Sequence, residues 1–392
     1  MSVVRKKSLR RAPKSFRLFR RNSNAFHAAG NRVQLFKGGE EFFPALIEAC
    51  RHARRSIHAE FYIVRDDLTG RAFAEALLAA AARGVEVALS YDYIGCFETP
   101  AAYFRRLSGG GVACLPFNPP PFRRGIAWFD KRNHRKLALV DGVTVFAGGV
   151  NVGDEYSGFS GASERWRDVG VRIDGPVVAE LERQFREFWS EEGGAPLGGR
   201  VGDLSPLPVG DAEVLVVSGG PHHNRSLIRS AFRIAIAGAT EYIRIMNPYF
   251  VPGPRIVRSL LRAVRRGVRV QLVLPAKSDV PLVRLVSRSY YAPLLRAGIE
   301  IYERQGAVLH AKVMLIDDSW GVVGSANLDQ RSFHRNYEVN AIVVSQQFGA
   351  QLAEMFAEDL AGSRRVVLEE HERRGRVVRL LERLCAPVSW FL

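Results

Sequence analysis

The sequence predicts an α/β protein made of two tandem copies of one α/β sandwich, and three observations carry that prediction. Apolar strand-like runs alternate with helical stripes from Asn31 onward. The alternation stops in a stretch rich in Gly and Pro and then restarts. One short pattern of His, Lys and Asp occurs once in each half. Strands alternating with helices of about 10–15 residues indicate layered α/β units rather than an all-helical or all-strand protein.

Taken in order, residues 1–30 are crowded with Arg and Lys between Arg5 and Arg21, with no acid before Glu40, which predicts a flexible basic arm suited to a polyanion. The first unit spans residues 31–192. Phe42, Leu46 and Cys50, with Phe43 and Ile47, form a helical stripe, and Ile57 to Val64 reads as a strand. A helix is expected over about Arg71–Ala82, then a strand with Val85, Val87 and Leu89 on one side, and a short strand at Val112–Leu115. After a Pro-rich loop comes NHRKLALVDG, then a second apolar strand, TVFAGG, a strand over Trp166–Asp174 and a helix through Phe185 and Trp189. Residues 193–210 form the linker, because Gly and Pro dominate and large apolar residues are scarce.

The second unit, residues 211–362, repeats the order: a helix over His222–Ala237, a strand at Tyr242–Met246 and a helix at Pro254–Arg265. RRGVRVQLVLP then mirrors ARGVEVALSYD, AGIEIYER mirrors GGVACLPF, and LHAKVMLIDD mirrors NHRKLALVDG. Residues 363–392 form a basic amphipathic tail. Self-similarity of this kind indicates two copies of one fold, each contributing half a site.

The composition narrows the partners. A hydrophobic fraction of 47% is that of a globular protein, but 56 Lys+Arg against 40 Asp+Glu leaves +16. Such a surface favours nucleic acid or an anionic lipid bilayer. No apolar run reaches the roughly 18 residues of a spanning helix, so the chain is expected to lie on the cytoplasmic face of a membrane without crossing it. Cys50, Cys96, Cys114 and Cys385 are scattered without a CxxC, which predicts reduced thiols and no zinc site.

The repeated pattern carries the chemistry. His134, Lys136 and Asp141 recur as His310, Lys312 and Asp317, with a period-2 apolar run between Lys and Asp in both copies, so each copy is expected on a strand. Residues two apart on a strand share a face, which sets each His beside its Lys. GGVNVGDEY aligns with GSANLDQRS, making Gly149, Asn151, Ser325 and Asn327 candidate anion contacts through backbone N–H groups and amides. WRDVGVRIDG aligns with NYEVNAIVVS, pairing Asp168 with Glu338 as carboxylates able to orient a histidine ring. Asp141 and Asp317 belong to the motif, but their odd offsets from the histidines point them away from the pocket, toward a structural salt bridge.

These residues resemble the two HKD motifs of the phospholipase D superfamily, and the ordering from about Asn31 to Leu360 is similar to bacterial cardiolipin synthases, of the shorter kind without N-terminal spanning helices. The resemblance implies two halves about a pseudo-twofold axis with the active site shared at their interface. It also implies His134 as nucleophile forming a phosphohistidine, His310 as acid and base, Lys136 and Lys312 as charge partners, and neither a metal nor another cofactor. One chain holding both half-sites is expected to act as a monomer.

The substrate is expected to be an anionic phospholipid, phosphatidylglycerol first. Arg374 to Leu392 places Val377, Leu380, Leu381 and Leu384 on one face and Arg376, Arg379 and Arg383 on another, ahead of Trp390, Phe391 and Leu392, which is an interfacial pattern. Tyr249, Phe250, Tyr290 and Tyr291 are candidates to border a lipid cleft. A phospholipase D hydrolase or an HKD-type nuclease would use the same chemistry, but the chain carries no recognised nucleic-acid-binding motif.

Overall fold

The structure is a computed structural model that describes residues 25–121, 125, 128–158, 165–198, 206–221, 226–385 and 387. Most of the basic arm, together with His222, His223, Trp390, Phe391 and Leu392, lies outside the described residues.

The first half contributes β1 (Phe26–Phe36), β2 (Ser56–Phe61), β3 (Glu86–Asp92), β4 (Ala113–Phe117), β5 (Leu137–Val140), β6 (Thr144–Gly148) and β7 (Gly170–Asp174). The second contributes β8 (Ala212–Gly219), β9 (Tyr242–Met246), β10 (Arg269–Pro275), β11 (Glu300–Arg304), β12 (Val313–Ile316), β13 (Trp320–Gly324), β14 (Glu338–Val344) and β15 (Ser363–Arg365). All join one 15-stranded sheet, ordered β15-β11-β10-β9-β12-β13-β14-β8-β1-β7-β6-β5-β2-β3-β4. Outward from the antiparallel β1–β8 pair the order is the same on both sides, with β15 added at one edge. This is the predicted pseudo-twofold, expressed in strand order. In each half β2–β3–β4 and β9–β10–β11 run parallel, while the strands toward the centre pair antiparallel.

β1 begins inside the stretch read as a flexible arm. Its pairing with β8 slips between Ala28 and Asn31, and Gly30 sits at φ 88°. A bulge breaks the period-2 alternation, which hides the strand from a pattern search.

One core lies under helices Gly39–His52 and Leu68–Ala82, built on Phe42, Phe43, Phe61 and Phe73. Its counterpart lies under Leu227–Gly238 and Gly253–Arg265, built on Phe232, Ile256 and Leu260. A third covers the opposite face and belongs to both halves: Phe185 and Trp189 from helix Val178–Glu191 join Leu352, Met355 and Phe356 from helix Gln346–Ala361. Removing one such buried ring, as in Phe185→Ala, costs about 3–5 kcal/mol. This shared core fixes one half against the other, as a site built from both requires. Phe250 and Tyr291 are fully packed, the first in the second-half core and the second beside Leu294, so the cleft-bordering role expected of them is replaced by packing.

Candidate active site

The two His-Lys pairs do not lie on strands, as the period-2 pattern suggested. β5 starts at Leu137 and β12 at Val313, so His134, Lys136, His310 and Lys312 occupy extended segments just before them. These segments pair across the pseudo-twofold instead of within their own half. The His134 N–H donates to the Tyr337 carbonyl at 2.9 Å, and the Tyr337 N–H donates to Arg132 at 2.9 Å. On the other side the His310 N–H donates to the Arg167 carbonyl at 2.8 Å, and the Arg167 N–H to Val308 at 2.8 Å. Each His-Lys segment is thus anchored beside the carboxylate-bearing segment of the opposite half.

The carboxylates follow the same exchange. His134 Nδ1 lies 2.9 and 3.1 Å from the two oxygens of Glu338, and His310 Nδ1 lies 2.5 Å from Asp168 Oδ2. An ionised carboxylate only accepts, so each ring carries its proton on Nδ1 and keeps Nε2 for the substrate. Lys136 Nζ donates to the His134 carbonyl at 2.7 Å and sits 5.1 Å from the centre of the Tyr62 ring. Lys312 donates to the His310 carbonyl and approaches His310 Nδ1 at 2.9 Å. Tyr62 stands against His134 at 5.0 Å, and Trp166 and Tyr156 flank His310 at 5.2 and 5.5 Å.

All six groups are buried, none more than 8% exposed. Burial pushes His134 down to about 4, an effect that the Glu338 carboxylate opposes and the Lys136 charge reinforces. His310 is lowered by burial and by Lys312, against Asp168. Lys312 falls to about 8 through burial, opposed by Asp168 and Glu338. Burial raises both carboxylates, but the cations and histidines outweigh it, and Asp168 and Glu338 end below their ordinary values. The charge of Lys312 also acts on His134 and that of Lys136 on His310, so the half-sites form one electrostatic unit.

The other predicted residues have different places. Asp141 and Asp317, grouped on sequence with the catalytic set, sit at the far ends of β5 and β12 in left-handed turns, φ 54° and 48°. Four residues of strand at about 3.3 Å each separate them from the lysines. The Asp141 carboxylate accepts from the backbone N–H groups of Arg54, Arg55 and Ser56, and that of Asp317 accepts from Thr240, Glu241 and Tyr242. They tie the start of β2 and β9 to the motif strand through backbone hydrogen bonds, in place of both the catalytic role and the expected salt bridge. Asp suits the position because its short side chain tolerates positive φ.

Gly149 and Ser325, expected to contact substrate, serve the carboxylates. The Gly149 N–H donates to the Val169 carbonyl at 3.1 Å, and a Cβ there would stand 2.2 Å from Asp168 Oδ1. Ser325 donates its hydroxyl to Glu338. Asn151 accepts from the Ile63 N–H at 3.1 Å and donates to the Tyr156 hydroxyl at 2.9 Å, so it holds the frame around His310. Asn327 is 4% exposed, and its Oδ1 has no hydrogen-bond partner among the described residues.

Several supports escaped the sequence. Ser332 and Asn336 donate to Glu338 Oε1 at 2.8 and 3.4 Å. Asp92 accepts from the Asn133 N–H at 2.9 Å and from Arg132 at 3.3 Å, and Glu60 accepts from Asn133 Nδ2 at 2.9 Å. Glu60 and Asp92 were visible as acids inside the apolar strands HAEFYIV and VALSYD, where a buried charge needs a partner. His334 contacts Arg229 rather than Glu338. Among the described residues no cluster of side chains could hold a metal ion.

The family described as "Cardiolipin synthase, PLD-like domain" matches residues 46–189 and 232–360. A cardiolipin synthase A of Pseudomonas putida is 36% identical over 372 residues, covering 92% of this chain and 75% of that protein. One from Pseudomonas fluorescens is 37% identical over the same shares. The crystal structure of a phosphatidylserine synthase of Haemophilus influenzae superposes with a TM-score of 0.75 at 13% identity, covering 97% of this chain and 100% of that one, and so shares the fold. The chain belongs to the phospholipase D-like family of cardiolipin synthases.

Proposed function

We propose that the protein moves a phosphatidyl group from phosphatidylglycerol to the hydroxyl of a second phospholipid through a phosphohistidine on His134, with His310 as the acid and then the base. The observation that carries this reading is the crossed His–carboxylate pairing, which leaves both Nε2 atoms free at one site. His134, held near 4 by burial, is neutral at neutral pH and able to attack. Its Nε2 bonds to phosphorus as the bond from phosphorus to the glycerol oxygen breaks, and His310, entering as an imidazolium with a second proton on Nε2, gives that proton to the oxygen. The second lipid's hydroxyl then loses its proton to His310 as its oxygen displaces His134. Lys136 and Lys312 stabilise the charge that gathers on the nonbridging oxygens.

The reaction is that of a cardiolipin synthase-type phosphatidyltransferase, and its lipid substrate calls for a membrane surface. No helix among the described residues is long and apolar enough to cross a membrane. Helix Arg376–Cys385 instead turns Glu382 inward, where it is buried and accepts from Arg374 at 2.5 and 2.9 Å. Val377, Leu380, Leu381 and Leu384 stand 71%, 56%, 45% and 64% exposed. An apolar stripe facing outward on a protein of net charge +16 fits the interface of an anionic bilayer. The monomeric state expected from the sequence belongs to this same reading.

Incubating the protein with phosphatidylglycerol vesicles and identifying products by mass spectrometry tests it. Cardiolipin with free glycerol is expected. Phosphatidic acid alone would assign a hydrolase, and cleaved DNA beside unchanged lipid would overturn the reading.

A further inference from the structure

Beside the catalytic loop of the second half lies a cavity of about 290 Å³ lined by Arg229, Arg255, Arg258, Pro252, Gly253 and Gln330. Local sequence explains its form. Helix Gly253–Arg265 buries Ile256, Leu260 and Ala263 along one stripe, which turns Arg255 and Arg258, three residues apart, together toward solvent. Gly253 sits at φ 66°, where a Cβ would stand 2.6 Å from Gln330 Nε2. Gln330 opens the short helix that follows the Asn327 loop, and that loop is tied to the cavity wall. The Val251 N–H donates to Leu328 at 2.9 Å, and Asn247 accepts from the Leu328 N–H at 3.2 Å.

Among the described residues none of these three arginines pairs with a carboxylate, and Arg229 donates to neutral His334 Nε2 at 2.6 Å. Burial, then the charges of Arg255 and Arg233, push Arg229 below its ordinary value, a sign of uncompensated positive charge. The equivalent place in the first half is closed by the chain's own acids. Asp67 accepts from the N–H groups of Gly70 and Asp154 at 2.8 and 2.7 Å, and Asp154 accepts from the Thr69 N–H at 2.8 Å. Helix Gly253–Arg265 has no side-chain cap. Where one half supplies two carboxylates, the other supplies three guanidinium groups and a cavity.

We infer that this cavity binds a second phosphodiester, that of the lipid accepting the phosphatidyl group, while the first is held between the two histidines. The inference rests on the phosphatidyl-transfer reading above. Transfer between two anionic lipids brings two phosphates into one site, and forked guanidinium groups both recognise the second and offset its repulsion from the first.

The test uses phosphatidylglycerol vesicles with ethanol as a competing uncharged acceptor, and measures cardiolipin against phosphatidylethanol. In R255A/R258A that ratio is expected to fall at least tenfold through a higher KM for the lipid acceptor, with partial recovery in R255K/R258K. A ratio within twofold of wild type overturns the pocket while phosphatidyl transfer stands. Calorimetry with sn-glycerol 3-phosphate and with inorganic phosphate separates the sources. Headgroup recognition predicts tighter binding of the glycerol ester, lost in R255A/R258A, whereas equal binding of both assigns a free-phosphate site and overturns the lipid assignment. If wild-type protein transfers to neither acceptor, the transfer reading fails, and the calorimetry still decides whether the arginines bind a phosphate ester.

Discussion

At the first half-site Glu338 meets His134 with both oxygens, at 2.9 and 3.1 Å, while also accepting from Ser325, Ser332 and Asn336. At the second, Asp168 meets His310 through one oxygen at 2.5 Å and accepts otherwise from the Val169 N–H at 2.8 Å. The scaffold is the same, but the charge is distributed differently. Neutral donors around Glu338 spread its negative charge and weaken its hold on a proton at His134, which suits a nucleophile that must stay neutral. Asp168 has less competition and a shorter contact, and it supports the proposed imidazolium at His310 against the burial and the Lys312 charge that lower it. Symmetry in the backbone thus coexists with a division of labour in the side chains.

Removing each histidine in turn breaks this comparison most directly. His134→Ala should abolish both turnover and phosphohistidine labelling. His310→Ala should lose about 10²–10⁴-fold with phosphatidylglycerol, yet still form phosphohistidine from a donor whose leaving group, such as p-nitrophenolate, needs no proton. Equal loss with both donors would reverse or erase the assignment of roles.

Changing the carboxylates is expected to do less. Asp168→Asn removes the charge that supports the imidazolium and should cost roughly hundredfold or more in kcat. Glu338→Gln, opposite a histidine that works neutral, should cost about a tenth of that and leave the labelling of His134 measurable. Identical losses in stopped-flow and steady-state rates would mean the two pairs act alike.

The smallest effect is read from pH. His134 must be neutral, and its value near 4 places the acid limb of kcat/KM there, with activity rising as pH rises through it. His310 must enter the first step charged, and burial and Lys312 hold it below the ordinary histidine value, so the basic limb lies there, with activity falling as pH rises through it. Lys312→Gln removes a charge that lowers His310 and should shift that limb upward, on a lower maximal rate. A basic limb unmoved in this variant would assign it to another group.

Much of this was legible in the chain. Periodicity located strands such as β3 and β10 because their apolar residues carry the signal of burial. The repeated His and Lys were found because chemistry constrains their spacing. β1 escapes a pattern search because a bulge at Ala28–Asn31 erases alternation, and the His-Lys segments look like strand because an extended chain looks the same whether it pairs within a half or across halves. Gly149 and Ser325 were assigned to substrate because sequence shows which residues lie near a motif, but not which way a backbone N–H or hydroxyl points.

By itself the sequence determined that there are two copies, that each holds a His, a Lys and a carboxylate, and that the surface is strongly basic, since these depend on residue type and local spacing. Only the tertiary structure decided that Glu338 serves His134 and Asp168 serves His310. That exchange depends on β1 and β8 pairing at the centre of one sheet and on a core shared by both halves. No local pattern encodes it, because the partners are 204 and 142 residues apart along the chain.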